Sequence, residues 1–241
     1  MAATTERVDS PLRSASSASG ASTSAPRLAL RAMSGWEEEH VQRHQADTNT
    51  ARLCNEILAR CLVPPGEDPG AARQTVAALL VGERDRELVE LRRLSLGPAV
   101  SAQVVCPSCG ETSDAEFSLD TLPLDLPSSP RRVSLEIPEL GDVTLRLPTA
   151  GDQEELLDAD LETEAEQFSW LLARCLERVG ERSGAFDVDF ARNLPVGVRH
   201  ALDAALQVAI PALDLEMAVE CSHCRAPIVA PFDVSSFFFS N

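Results

Sequence analysis

The sequence contains neither lysine nor tyrosine, so arginine supplies every strongly basic side chain. No stretch approaches the roughly 18 consecutive apolar residues that a membrane-spanning helix needs. The N-terminus also lacks the continuous apolar segment of a secretory signal. These absences predict a cytoplasmic protein without a membrane partner.

Familiar catalytic motifs are missing as well. The sequence has no G-x-x-x-x-G-K-[ST], G-x-G-x-x-G, G-x-S-x-G or H-E-x-x-H pattern. His40 and His44 lie four residues apart on a predicted helix without a third ligand beside them, which favours a solvated helix face. The acidic run 158–166 is more typical of a solvated face or a linker than of paired catalytic carboxylates. The sequence therefore predicts no enzymatic activity and no small-molecule substrate.

Acidic residues outnumber basic residues in the chain as a whole. There are 38 acidic against 21 basic side chains, and the formal net charge is -17. A field of this sign repels the phosphate backbone of DNA and RNA. We therefore expect no nucleic-acid partner.

Four of the seven cysteines form two C-x₂-C pairs. They are Cys106 and Cys109 in VVCPSCGE, and Cys221 and Cys224 in VECSHCRA. Each pair lies between strand-like segments, and two such turns supply four thiolates in the tetrahedral arrangement typical of structural Zn²⁺. Because four thiolates leave no open position for a substrate, we predict one structural Zn²⁺ bound by these four cysteines.

Other interpretations of the four cysteines stay open at this point. The two pairs are separated by 111 residues, more than in most zinc ribbons, although loop-closure entropy grows only logarithmically with length. An iron–sulfur cluster uses the same ligands, and a redox-active C-x₂-C or four free thiols are further alternatives. Cys54, Cys61 and Cys175 lie on apolar faces of predicted helices, where burial is expected. The odd cysteine count without a secretion signal argues against disulfides.

The hydrophobic periodicity predicts an α+β fold. Residues 1–33, rich in serine and alanine, are predicted to be a disordered tail, and 34–241 a single zinc-stapled domain. Its helical part covers 34–97; the ribbon follows over 98–241, with an inserted hairpin and helices and a small antiparallel β layer. The predicted helices cover 36–63, 71–80, 82–97, 151–180 (as one or two) and 195–210. The predicted strands cover 99–105, 115–119, 133–137, 143–147, 213–219 and 228–232.

The chain ends in three consecutive aromatic residues, Phe237, Phe238 and Phe239, before Ser240 and Asn241. Left in solvent, they would form an apolar patch. Two interpretations are open: the three rings dock against the zinc ribbon, or they bind a partner. We take them as candidate partner-binding residues.

Four segments, taken in order, resemble a known family. The segments are GERDRELVELRRLSLG, similar to G-x-R-D-x-x-L-x-x-L-R-x-x-x-x-G; VVCPSCGETSDAEFSLDTLPL, a knuckle running into F-x-L-x-x-L; VTLRLPTAGDQEEL, similar to x-L-R-x-P-T-x-x-D; and VECSHCRAPIVAPFDVSSFFF, a knuckle ending in D-x-x-x-F-F. They cover roughly 80–241. The family is that of the baseplate hub proteins and hub assembly chaperones of T-even-type phages and related contractile injection systems.

The resemblance implies a non-catalytic assembly or structural protein that contacts hub or spike proteins of a phage tail-like particle. The alternative is a zinc-ribbon protein that binds nucleic acid or acts in transcription. That alternative needs a basic patch beside the knuckles, but only Arg225 lies there, with Arg131 and Arg132 in a loop. A metalloenzyme needs an additional polar ligand or base at the metal, and the sequence offers none.

Overall fold

The computed structural model describes residues 27–44, 46–126, 129–211, 213 and 216–231. Within these residues the fold is α+β, as predicted. The helices are α1 (Gly35–His44), α2 (Thr50–Cys61), α3 (Gly70–Ala77), α4 (Val81–Leu96), α5 (Ala150–Asp158), α6 (Glu164–Cys175), α7 (Val188–Asn193) and α8 (Val196–Ala209). The strands are β1 (Ala99–Val105), β2 (Thr112–Ser118), β3 (Arg132–Ile137), β4 (Gly141–Arg146), β5 (Leu176–Val179), β6 (Arg182–Ser183), β7 (Glu216–Glu220) and β8 (Pro227–Pro231).

The strands form three antiparallel sheets. Strands β1 and β2 form one hairpin, β7 and β8 form another, and β3-β4-β5-β6 form a four-stranded sheet in that order. Strands β3 and β4 form the predicted inserted hairpin, in which Val133 lies opposite Leu145 and Ile137 opposite Gly141. Gly141 has a φ of 75° at the turn, a conformation that glycine adopts without steric cost.

Two separate apolar cores account for most of the buried side chains in the described residues. The first lies under α2, α3 and α4 and contains the buried Cys54 and Cys61. The second lies between the four-stranded sheet and helices α6 to α8 and contains Cys175. The predicted burial of these three cysteines is therefore confirmed. Burial raises the pKa of the Cys61 and Cys175 thiols to about 12, which keeps both protonated and unreactive at neutral pH.

Helix α5 joins the two cores. The amide Nδ2 of Asn49 donates to the Glu154 carbonyl at 2.8 Å, and Asn55 Nδ2 donates to the Ala150 carbonyl at 3.1 Å. The Ala150 N–H in turn donates to the Leu79 carbonyl at 2.8 Å. The bonds from Asn49 and Asn55 join residues about a hundred positions apart, so they fix α5 and the sheet that precedes it against the N-terminal helices.

Several element boundaries differ from the predicted ones. The predicted helix 36–63 is two helices, because the Asn49 side chain accepts the Arg52 N–H at 2.9 Å and starts α2 anew. The predicted helix 151–180 is α5 and α6 followed by strand β5, which pairs with β4. Helix α7 was not predicted. The acidic run contains the connection between α5 and α6, and Thr163 caps α6 there with Glu166 in a capping box.

Candidate metal centre

Each C-x₂-C pair forms a turn with the same backbone hydrogen bonds. In the first turn the Cys106 N–H donates to the Glu111 carbonyl at 2.9 Å, and the Gly110 N–H donates to the Cys106 carbonyl at 2.9 Å. In the second turn the equivalent bonds, Cys221 to Ala226 and Arg225 to Cys221, measure 2.9 and 3.0 Å. The first turn joins β1 to β2, and the second joins β7 to β8. The two knuckles are thus matching hairpin ends.

The fold brings the two knuckles together. The Sγ atoms of Cys106 and Cys224 are 3.7 Å apart, as are those of Cys109 and Cys221. All four Sγ atoms lie within 4.8 Å of one another. Cys106 and Cys221 are buried, whereas Cys109 and Cys224 are exposed. The structure therefore joins the middle of the chain to its C-terminal hairpin at one cluster of thiols.

The cluster fits a bound metal ion. A tetrahedral thiolate site with a metal–sulfur bond of about 2.3 Å has a sulfur–sulfur separation of about 3.8 Å, close to the two observed distances of 3.7 Å. A disulfide needs about 2.05 Å between its sulfur atoms, and all four cysteines are free thiols. The geometry therefore matches four separate ligands around one centre.

Ser113 connects the two knuckles beside the cluster. It is buried on β2, and its Oγ donates to Cys221 Sγ at 3.6 Å and accepts the Ser222 N–H at 3.2 Å. Such contacts orient a metal ligand and fix its neighbours. Ser113 lies seven residues after Cys106, and the equivalent position after Cys221 is the buried Ile228. The sequence does not predict this role for Ser113. The one sequence feature that could indicate it is a serine at an inward-facing position of a strand beside a knuckle.

The surroundings of the cluster lower the pKa of two of the thiols, Cys106 and Cys221, while the neighbouring cysteines and burial raise the pKa of Cys109 and Cys224. The backbone N–H of Cys224 and the Ser113 hydroxyl lower the pKa of the Cys221 thiol to about 5. A thiolate is the form that binds metal. Val104, Ala115 and Ile228 pack around the cluster in a third, small apolar group. Cys106 and Cys221 are thus screened from water, and a cation between the four sulfur atoms would be needed for all of them to be thiolates at neutral pH.

Each knuckle requires a left-handed backbone residue after its second cysteine. Gly110 has a φ of 75° and Arg225 a φ of 60°. An added Cβ at Gly110 would meet no atom within 4 Å, so only the backbone conformation favours glycine there. A non-glycine residue in this region is strained by roughly 1–2 kcal/mol.

Because position 110 is a glycine and position 225 is an arginine, substitutions at these two matching positions should change the free energy of unfolding in opposite directions. We expect Gly110→Ala to lower the free energy of unfolding by about 1 kcal/mol. We expect Arg225→Gly to leave it unchanged or to raise it by up to about 1 kcal/mol, since relief of strain offsets the greater entropy of the unfolded chain. Urea unfolding of the metal-loaded variants measures both. Equal destabilisation by the two changes would contradict the proposed backbone requirement.

Arg131 and Arg132, the loop arginines that a nucleic-acid-binding patch would need, form ion pairs with glutamates away from the knuckles. Arg131 contacts Glu83 at 3.1 Å, and Arg132 contacts Glu177 at 2.5 Å. Around the knuckles, Arg225 is outnumbered by acidic residues of the same two hairpins: Glu111, Asp114, Glu116 and Glu220. This distribution disfavours a phosphate backbone at the cluster.

The remaining candidates from the sequence are the three C-terminal phenylalanines and the histidine pair His40 and His44. Phe237, Phe238 and Phe239 lie outside the described residues. The prediction of a solvated face at His40 was wrong: His40 is buried, and its Nε2 lies 2.7 Å from Glu56 Oε2. The Glu56 carboxylate also contacts Arg73 at 3.1 Å. His40 is therefore part of a structural polar contact between α1 and α2.

Comparison with known proteins identifies the chain's family. The family model described as T4 bacteriophage base plate protein matches residues 19–239. The chain belongs to this family. No curated protein and no solved structure matches the chain. Within the described residues, none of the helices of this baseplate-family protein has the length and apolar composition needed to cross a membrane.

The structure gives a physical reason for one segment that resembles the baseplate family. In L-R-x-P-T-x-x-D, the arginine is Arg146, the threonine is Thr149 and the aspartate is Asp152. Arg146 donates to both carboxylate oxygens of Asp152, at 2.6 and 2.8 Å. Asp152 also accepts the Thr149 N–H at 2.8 Å, while Thr149 Oγ1 accepts the Asp152 N–H at 3.3 Å. The motif thus encodes the capped start of α5 and its ion pair with β4.

The helix motif G-x-R-D also contains ion pairs. Arg84 contacts Asp85 at 2.7 Å, and Arg86 contacts Glu87 at 2.6 Å. Arg86 and Glu87 are 0% and 1% exposed, so this second pair is fully buried. Glu87 also accepts the N–H of Leu28 at 3.2 Å. The buried Glu87 therefore binds the segment before α1 instead of facing solvent.

Proposed function

We propose that this protein is a non-catalytic assembly or structural protein of the central hub of a contractile baseplate, and that it acts through contacts with hub or spike proteins. The family match over residues 19–239 carries this proposal. That match spans both knuckles and the segments between them. The four motifs of the hub proteins and hub assembly chaperones, in the same order, support the narrower hub role.

We further propose that the cluster binds one structural Zn²⁺ through Cys106, Cys109, Cys221 and Cys224. Separations of 3.7 Å between sulfur atoms and an all-thiolate ligand set are those of closed structural zinc sites. With four protein ligands the ion has no position for substrate or activated water, and its contribution is to hold the two hairpins together. This metal role is consistent with an assembly protein.

The proposed domain is one zinc-stapled unit over 34–241. Hydrogen bonds from Asn49 and Asn55 to α5, and the contact between the knuckles, support a single unit. The preceding Leu28, Leu30 and Met33 also pack against the helical core. We propose that this one unit presents the contact surfaces for baseplate proteins.

Co-expression with individual hub and spike proteins of the same particle tests the assembly role. We expect a stable complex with at least one of them on size-exclusion chromatography, and none with sheath or tube proteins used as controls. Quantitative mass spectrometry of finished particles then distinguishes a permanent component from a chaperone that leaves. Absence of a complex with any hub or spike protein would contradict the proposed hub role.

A further inference from the structure

An exposed tryptophan, Trp36, lies at the start of α1. Trp36 is one of two tryptophans in the chain, and its side chain is 59% exposed. Its indole lies against the backbone of Gly66, where an added Cβ would be 3.4–3.6 Å from three ring atoms. Gly66 has a φ of 82°, so both its conformation and the ring above it favour glycine. The backbone at Gly66 therefore supports the Trp36 ring in a defined position.

The helix and the loop that form this support are fixed to each other by Arg31. Its guanidinium donates to both carboxylate oxygens of Glu37, at 2.9 and 3.0 Å. It also donates to the carbonyls of Val63 and Arg60, at 2.7 and 2.9 Å. Glu37 follows Trp36, and Val63 precedes the loop 64–68. The indole and the loop are thus held in place before any partner arrives, which reduces the entropy lost on binding.

The charge around the indole is negative. Glu39 is exposed three residues after Trp36, on the same side of α1, and Glu67 and Asp68 are exposed next to Gly66. The sequence has no arginine between Arg31 and Arg43, and the Glu39–Arg43 contact of 3.8 Å is exposed and weak. Between Arg60 and Arg73 there is also none. An exposed aromatic ring with a carboxylate rim is therefore complementary to a cationic side chain.

We propose that Trp36, loop 64–68 and the carboxylate of Glu39 form a docking surface for a basic segment of a different baseplate protein. This Trp36 surface takes an arginine or lysine over the indole face, where cation–π attraction applies, and the rim carboxylates bind neighbouring basic groups. Tryptophan is a residue type enriched among energetic hot spots of interfaces. A two-fold contact with a second copy would place the same carboxylates against each other, which is unfavourable. The inference rests on the proposed assembly role.

A photo-crosslinking amino acid at position 67, introduced during particle assembly, tests the occupant. We expect a crosslink to a different baseplate protein, within a segment that carries at least two arginines or lysines. A crosslink to a second copy of this chain, or to an acidic or uncharged segment, would overturn the proposal. So would the absence of a crosslink in particles or assembly complexes that contain the chain.

The affinity of the crosslinked baseplate protein for purified variants tests the chemistry. We expect Trp36→Ala to raise Kd at least about tenfold, and Glu39→Gln with Glu67→Gln to weaken binding and its salt dependence. Val208→Ala removes another apolar side chain, 89% exposed on α8, and should leave Kd unchanged. Wild-type binding that Trp36→Ala does not weaken overturns the docking surface but leaves the assembly role. Failure of the wild type to join any baseplate protein overturns both.

Discussion

Cys221→Ser is expected to abolish stoichiometric metal binding and to release the C-terminal hairpin β7–β8 from the rest of the protein. The third apolar group, which joins this hairpin to β1–β2, contains five buried residues within the described chain, and two of them are Cys106 and Cys221. We do not expect so small a core to hold two hairpins together without the proposed ion. Apparent binding free energies of about 10–16 kcal/mol for structural zinc sites exceed the stability of many domains.

The two larger cores are expected to survive this substitution. They contain fifteen and twelve buried residues within the described chain, and the metal ligands are not among them. We therefore expect the far-UV circular dichroism of Cys221→Ser to keep its helical signal while the segment before β7 becomes sensitive to protease. Mass spectrometry should find one zinc per wild-type chain and less than a tenth of that in the variant.

His223→Ala provides a matched control in the same knuckle. His223 is exposed between the two cysteines, outside the group of four ligands. This variant should keep one zinc and a protected hairpin. Full zinc content in Cys221→Ser would contradict the four-thiolate site. A metal-free, reduced wild type with a protected hairpin would contradict the stapling role. Iron and sulfide in the purified protein would show that the four cysteines bind an iron–sulfur cluster and not zinc.

The cysteine cluster was predictable because it depends on residue type and spacing. A C-x₂-C turn between strands constrains its own geometry, so both knuckles follow from local sequence. Ser113 did not follow, because its partner Cys221 is 108 residues away. The inserted hairpin was predicted for the same local reason as the knuckles: alternating apolar residues flank a turn that contains Gly141.

The errors in secondary structure arose where distant contacts decide the outcome. The apolar spacing of α6 continues through Leu176 and Val179, so the sequence indicates that this helix continues to about residue 180. In the fold, Leu176 pairs with Leu145 and Val179 pairs with Val143, which makes this segment a strand. The break before α2 depends similarly on Asn49, whose side chain contacts α5. Local periodicity does not contain such partners.

Asp152→Asn is expected to destabilise the protein by about 3 kcal/mol at neutral pH, because it leaves the Arg146 and Arg174 charges without their buried carboxylate. Asp152 is 3% exposed and lies 2.6 Å from Arg146 and 3.1 Å from Arg174. Asparagine still accepts the Thr149 N–H through its oxygen, so the start of α5 is kept. The loss is thus mainly electrostatic, and urea unfolding at pH 7 measures it.

The difference between wild type and Asp152→Asn should shrink in acid. Burial alone would raise the pKa of Asp152, but hydrogen bonds from Arg146 and from the Thr149 backbone lower it to about 2, from an ordinary 3.8. A lowered pKa in the folded state means that the carboxylate stabilises the fold above about pH 4 and that this contribution is lost as the pH falls toward 2. The loss is on the order of 2 kcal/mol.

The comparison with Asp152→Asn isolates Asp152 from other acid-sensitive groups. Glu37, whose pKa is lowered to about 2 by Arg31 against the effect of burial, titrates in both proteins, and acid also releases a thiolate-bound metal from both. Glu155→Gln is the control, since Glu155 contacts Arg174 at 2.6 Å but is 56% exposed; it should change stability by less than about 0.5 kcal/mol. A constant difference between wild type and Asp152→Asn from pH 7 to pH 2 would show that Asp152 is not held ionised by its arginines. A stability difference between the two proteins that disappears below pH 4 would show that the motif L-R-x-P-T-x-x-D encodes an ion pair that joins the sheet to α5.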